Sequence, residues 1–96
     1  MKIAILPSAR DDMADGFRFC ENQGKGLGGY FLESLFPDID SLRLYAGIHR
    51  TVFGSHRLLS KRFPYAICYA YESEAVFIKA ILDCRRDPTL HRQRLG

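Results

Sequence analysis

Cations gather in the second half of this chain, around two apolar runs. Arg57, Lys61 and Arg62 precede Phe63-Pro64-Tyr65-Ala66-Ile67-Cys68-Tyr69-Ala70-Tyr71, and Arg85 and Arg86 close the run that begins at Ala75, just before Asp87-Pro88. His91 follows in a basic tail with Arg92 and Arg94. Guanidinium and ammonium groups at strand ends can converge on one sheet edge and hold phosphate or carboxylate. Together with an imidazole they can also stabilise developing negative charge and move protons at a bound anionic group. The catalytic candidates on that reading are Arg57, Arg85, Arg86 and His91, with Lys61, Arg62 and Lys79 as supporting cations. Arg57 is the best single candidate for an inward-facing cation. The same arginines, with Lys61, Arg62 and Tyr65, equally make a docking surface for a protein. Arg85 and Arg86 also have a purely structural account, as caps of a sheet edge paired with Asp83 or Asp87.

The charge is uneven along the chain. Residues 1–48 hold five Lys/Arg against seven Asp/Glu, and residues 49–96 hold nine against four. An anionic partner would therefore meet the second half. Apolar content of 47% and charged content of 26% over 96 residues fit one small globular domain, residues 1–96. Cys20, Cys68 and Cys84 form no close pair and sit in apolar contexts, which fits reduced thiols in the cytoplasm better than a disulfide framework or a zinc site. No metal and no cofactor are expected. The apolar start, Ile3 to Leu6, is too short for a signal peptide, and no run is long enough to span a membrane.

The elements that must position these residues follow from periodicity. Lys2 to Leu6 reads as a short strand stopped by Pro7, which must pair with a later strand to be stable. Ser8, with Asp11 three residues on, suggests a helix N-cap and a helix from Ala9 to about Asn22, with Ala9, Met13, Phe17 and Cys20 as its buried stripe. Gln23-Gly24-Lys25-Gly26 breaks that helix; the glycine spacing matches no phosphate-binding loop. Leu27, Phe31, Leu35, Ile39, Leu42 and Ala46 recur at helical spacing through Pro37. That pattern predicts one kinked helix, or alternatively two helices parted at Phe36-Pro37, with Gly47 as the stop. Thr51 to Leu59 reads as one strand, bent or bulged at Gly54. The two aromatic and β-branched runs, parted by Glu72-Ser73-Glu74, read as a hairpin. Within it Ile67, Tyr69 and Tyr71 should pack on the helices, and Ala66, Cys68 and Ala70 should line a shallow concavity. In the last strand Val76, Ile78, Ala80 and Leu82 form the expected apolar face, with Lys79 opposite beside Phe77 and Ile81. The tail is expected to add a helical turn capped by Asp87, with His91, Arg92 and Arg94 exposed. The order β-α-α-β-β-β implies an α+β fold: an N-terminal strand, a helical hairpin, then a three-stranded antiparallel meander, with the helices on one face of the sheet.

In this order, Arg57-Leu58-Leu59, Phe63-Pro64-Tyr65-Ala66-Ile67-Cys68-Tyr69 and Arg85-Arg86-Asp87-Pro88 resemble the RelE/ParE family of toxins from bacterial type II toxin–antitoxin systems. The Phe-Pro-Tyr turn and the Arg-Arg-Asp-Pro ending are nearer the ParE branch. The resemblance implies the same sheet-and-hairpin architecture and a cognate antitoxin that folds over the toxin. It also implies a growth-inhibiting role through a bound cellular target, DNA gyrase first. The alternatives are a ribosome-dependent mRNA endonuclease and a member of the fold with lost activity. The nuclease branch typically holds a basic residue just past the aromatic of the strand. Here that position is Ala66, and the next inward positions, Cys68 and Ala70, cannot do phosphate chemistry.

Overall fold

The computed structural model describes residues 1–95. The first strand, β1 (Lys2–Ile5), runs straight into α1 (Pro7–Gln23). Pro7 is the reason the helix starts so early. At the first helical position its missing N–H costs nothing, and its fixed φ is already helical. Leu6 takes the N-cap place with no side-chain hydrogen bond. The expected cap at Ser8 is thus corrected: Ser8 lies inside the first turn, and its hydroxyl donates instead to the Lys79 carbonyl at 2.8 Å. The reversal after α1 is pinned by Glu21, whose carboxylate accepts the Gly26 N–H at 3.0 Å and the Gly28 N–H at 2.9 Å.

α2 (Leu27–Tyr45) is one helix that continues through Pro37, the first of the two alternatives. Phe31, Leu35, Ile39 and Leu42 of its stripe are buried, while Leu27 at its start is exposed. Ala46 caps it, and Gly47 follows with φ 91°, the left-handed stop that glycine permits. The two helices touch at glycines. A Cβ at Gly16 would lie 2.6 Å from Phe31 Cζ, and one at Gly28 would lie 2.8 Å from the Phe17 carbonyl oxygen.

The sheet has five strands in the order β1-β5-β4-β3-β2. β1 is parallel to β5 (Ala75–Asp83), and all other pairs are antiparallel. The meander of β3 (Ser55–Leu59), β4 (Tyr65–Glu72) and β5 is present as expected. The segment before it is not one bent strand. Phe53 and Gly54 both have positive φ, 52° and 81°, so the chain makes a tight two-residue hairpin loop and adds β2 (Thr51–Val52) as an edge. After β5 the tail forms α3 (Pro88–Leu95).

The helical hairpin covers one face of the sheet. Tyr65, Ile67, Tyr69, Val76, Ile78 and Ile81 pack there with the helix stripes. Tyr71 does not join them: it is 37% exposed at the strand end, against Gly47. Ile81 on this face corrects the expected alternation in β5. Cys68 pairs with Ala80 but Tyr69 pairs with Ile78, so Lys79 is an extra residue, a β-bulge. One inserted residue reverses the pleat, so Ala80 and Leu82 turn to the other face and Ile81 turns to the helices. On that other face Ala66, Cys68, Ala80 and Leu82 form a second, smaller cluster, closed by Cys84 and Leu95. The expected open concavity is therefore covered: Ala66 and Cys68 are buried under α3. Among the described residues, no helix is long and apolar enough to cross a membrane.

Candidate interaction surface

The bulge also decides where the cations go. Lys79 reaches across β4 and donates to the Ser55 hydroxyl at 2.9 Å. Ser55 is two residues from Arg57 on β3, so both cations stand on the α3 face of the sheet. Cys68 lies beneath them. Burial pushes its thiol up to about 11, outweighing the lowering by Arg57 and Lys79. Burial also raises Cys20. Neither is a ready thiolate. Arg57 is half-buried, with Nη2 3.5 Å from Cys84 Sγ and a buried Nε that has no hydrogen-bond partner among the described residues.

The other sequence candidates are spread over different surfaces. Arg85 folds back on Asp83 through Nε at 2.9 Å and Nη2 at 2.8 Å, and its guanidinium lies over the Phe19 ring at 5.6 Å. These hydrogen bonds hold the Asp83 carboxyl below its ordinary range, and Asp83 in turn raises Arg85. Arg86 lines a cleft of about 440 Å³ between α1, the end of β5 and α3, with Asp12, Tyr65 and His91 on its walls. Tyr65 is only 7% exposed, and its ring packs edge-on against Phe31 with centroids 4.9 Å apart. Arg62 donates to the Tyr30 hydroxyl at 2.5 Å and sits over that ring, and the exposed Lys61 lines the same shallow cleft.

His91 is not exposed. It is 8% accessible, and its Nε2 donates to the Asp83 carbonyl at 2.8 Å. Asp87 does cap α3, accepting the Thr89 N–H at 2.8 Å, which lowers its pKa. Arg94 forms a two-bond pair with Asp12 at 2.9 and 2.8 Å, and Arg92 lies over Phe53 at 5.5 Å. These contacts share a cause. β1 ends at Ile5, so the second half of β5 is paired with β4 but has no strand on its other side. Its outward groups are met by side chains instead: the Lys79 carbonyl by Ser8, the Ile81 N–H by Asp12 at 3.0 Å, and the Asp83 carbonyl by His91. Leaving such groups unpaired in a covered edge would cost about 1–3 kcal/mol each.

One polar cluster was not singled out as a unit from the sequence. The buried Tyr69 hydroxyl accepts the Gly47 N–H at 3.0 Å and lies 2.5 Å from His49 Nδ1; His56 stacks on the Tyr69 ring and bonds the His49 carbonyl at 2.8 Å. Burial, then His56, lowers the His49 pKa, and burial raises that of Tyr69. The spacing of His49, His56 and Tyr69 in sequence carries no hint of this, because the contact depends on strand register. Among the described residues no group of His, Cys, Asp and Glu could hold a metal ion. Arg62, Lys79, Arg85 and Arg94 are thus held by partners within the fold, while Arg57 keeps a buried Nε without one among the described residues.

No protein-family model matches the chain, and no curated protein matches it in sequence. A solved chain of the chromosomal ParDE TA system from P. aeruginosa shares its fold, with a TM-score of 0.76 and 17% identity, over 84% of this chain and 92% of that one. The architecture implied by the resemblance to ParE-type toxins is therefore present.

Proposed function

We propose that this protein is the toxin of a type II toxin–antitoxin pair, restraining growth by binding a cellular target, with DNA gyrase first, and neutralised by a cognate antitoxin in the cytoplasm. The observation that carries the reading is the fold held in common with a chain of a ParDE system over nearly all of that chain. A binding role is supported over RNA cleavage by the state of the cations. Arg85 is committed to Asp83, His91 to a backbone carbonyl, and the strand positions Ala66, Cys68 and Ala70 offer no proton carrier near neutrality. Arg57, Lys61, Arg62 and Arg86 remain as the cationic part of a target or antitoxin surface. Induction of the chain alone in growing bacteria tests this. Growth arrest with impaired supercoiling and intact messages is the expected result. Rapid loss of translated messages, abolished by Arg57→Ala, would instead make it a nuclease, and unaffected growth would mark a fold member without activity.

A further inference from the structure

The cleft between α1, the end of β5 and α3 holds three aspartates, and each has its own arginine. Asp12 is bonded by Arg94, Asp15 by Arg18 and Asp83 by Arg85. Arg86 stands on the same walls with no ion pair among the described residues, so the cleft carries one surplus positive charge. Tyr65 supplies a second donor. It is 7% exposed, its ring packs on Phe31, and its hydroxyl lies within the field of Asp83, Arg85 and Arg86. Among the described residues no hydrogen bond uses that hydroxyl, although Tyr65 lines the cleft. Burial, and then Asp83, push its pKa above the ordinary value, so at neutral pH it keeps its proton and can donate. Two apolar side chains stay uncovered on the sides of the cleft. Phe19 on the α1 wall is 46% exposed, even with Arg85 over its ring, and Leu90 on the α3 wall is 44% exposed. A volume of about 440 Å³ falls within the usual range of small-molecule sites, about 300–1,000 Å³.

We propose that this cleft binds a small monocarboxylic acid with an aromatic ring, its carboxylate held by Arg86 and the Tyr65 hydroxyl and its ring lodged between Phe19 and Leu90. A guanidinium meets a carboxylate through two parallel hydrogen bonds, and a phenol adds a third. One carboxylate neutralises the surplus charge. A phosphate dianion would leave a negative charge unmatched beside three carboxylates, so the walls select against it. The ring covers apolar surface that otherwise stays in water. Bound there, the acid joins α1 to α3 across the end of β5, and so helps to hold α3 over Ala66 and Cys68. The site does not rest on the proposed function.

The test titrates the full chain with hydrocinnamate, with hydrocinnamyl alcohol, which has the ring without the charge, and with propionate, which has the charge without the ring. Binding is read from backbone amide chemical shifts. Hydrocinnamate should bind with a dissociation constant of about 1 mM or below, shifting the amides of Phe19, Arg86 and Leu90. The alcohol and propionate should each bind at least about tenfold more weakly. Arg86→Ala, at an exposed position, should weaken hydrocinnamate about tenfold, and Tyr65→Phe, which keeps the ring on Phe31, about fivefold. Arg92→Ala, whose guanidinium lies over Phe53, should leave the affinity unchanged. The site is overturned by no saturable shift up to about 10 mM hydrocinnamate, by equal binding of the alcohol, or by unchanged affinity in either Arg86→Ala or Tyr65→Phe. A loss in Arg92→Ala equal to that in Arg86→Ala would reduce the binding to general charge attraction, and tighter binding of phenyl phosphate would remove the carboxylate from the proposal.

Discussion

The two faces of the sheet are made from different materials. On the helical face Phe31, Leu35, Leu42, Ile67, Tyr69, Val76 and Ile78 are all fully buried, and their rings and branches interdigitate with two long helices. On the α3 face the cluster is Ala66, Cys68, Ala80 and Leu82, closed only by Cys84 and Leu95, with Arg57 and Lys79 alongside. Burial free energy scales with apolar area, so the first face carries the stability of the domain. The second face tolerates half-buried cations because little packing depends on it. A domain of this size buries only a modest core, and here that core lies on the helical face while the other face holds charge.

That contrast can be broken by mutation. Phe31→Ala removes the ring that Gly16, Phe63 and Tyr65 pack against, and should cost about 3–5 kcal/mol in a urea titration followed by circular dichroism. Asp12→Ala leaves the Ile81 N–H and Arg94 without their partner, and should cost about 2 kcal/mol, reported by the same titration. Leu95→Ala, which thins the α3 face alone, should cost about 1 kcal/mol; a loss equal to that of Phe31→Ala would erase the distinction between the faces. Arg85→Ala should cost less than about 1 kcal/mol, since that arginine is largely exposed.

Acidification offers a finer test. The folded pKa of His49 is depressed, so its contribution is present above its ordinary value, about 6.5, and is lost as pH falls below it. Asp83 is likewise depressed, so its contribution is full above about pH 4 and is lost as pH falls through the lower folded value. Melting temperature against pH should therefore fall in two stages. His49→Gln should remove the upper stage, and Arg85→Ala should shrink the lower one.

Much of this was legible in the residues. The stripe from Phe31 to Leu42 keeps its phase across Pro37, and the helix does too, because one lost hydrogen bond is small beside a buried face. The Asp87 cap was legible because aspartate is favoured at the N-cap and Pro88 suits the first helical position after it. Other features were not. Ser8 imitates a cap, but Pro7 had already opened the helix. Phe53 gives no sign of positive φ, since a bulky residue there is costly, and so the β2 turn reads as a bend. The bulge at Lys79 leaves no mark in an apolar run that looks alternating on either phase, and with it went the facing of Ala80, Ile81 and Leu82. The site residues suffered most. The Arg85–Asp83 pair was legible as the structural account of Arg85, but His91 looks free in sequence because its partner, the Asp83 carbonyl, becomes available only through the turn after β5.

The parallel pairing of β1 with β5 has a consequence in time. Lys2 meets Ala75, and the Ile81 N–H meets Asp12, so the first strand and first helix wait for nearly the last strand to be made. Synthesis proceeds from the N-terminus, and closing so long a loop is slow compared with forming the helices. The helical hairpin can assemble early, but with its sheet-facing stripe uncovered. The nascent chain therefore carries an exposed apolar face through most of its synthesis, and its finished sheet comes into being only at the end.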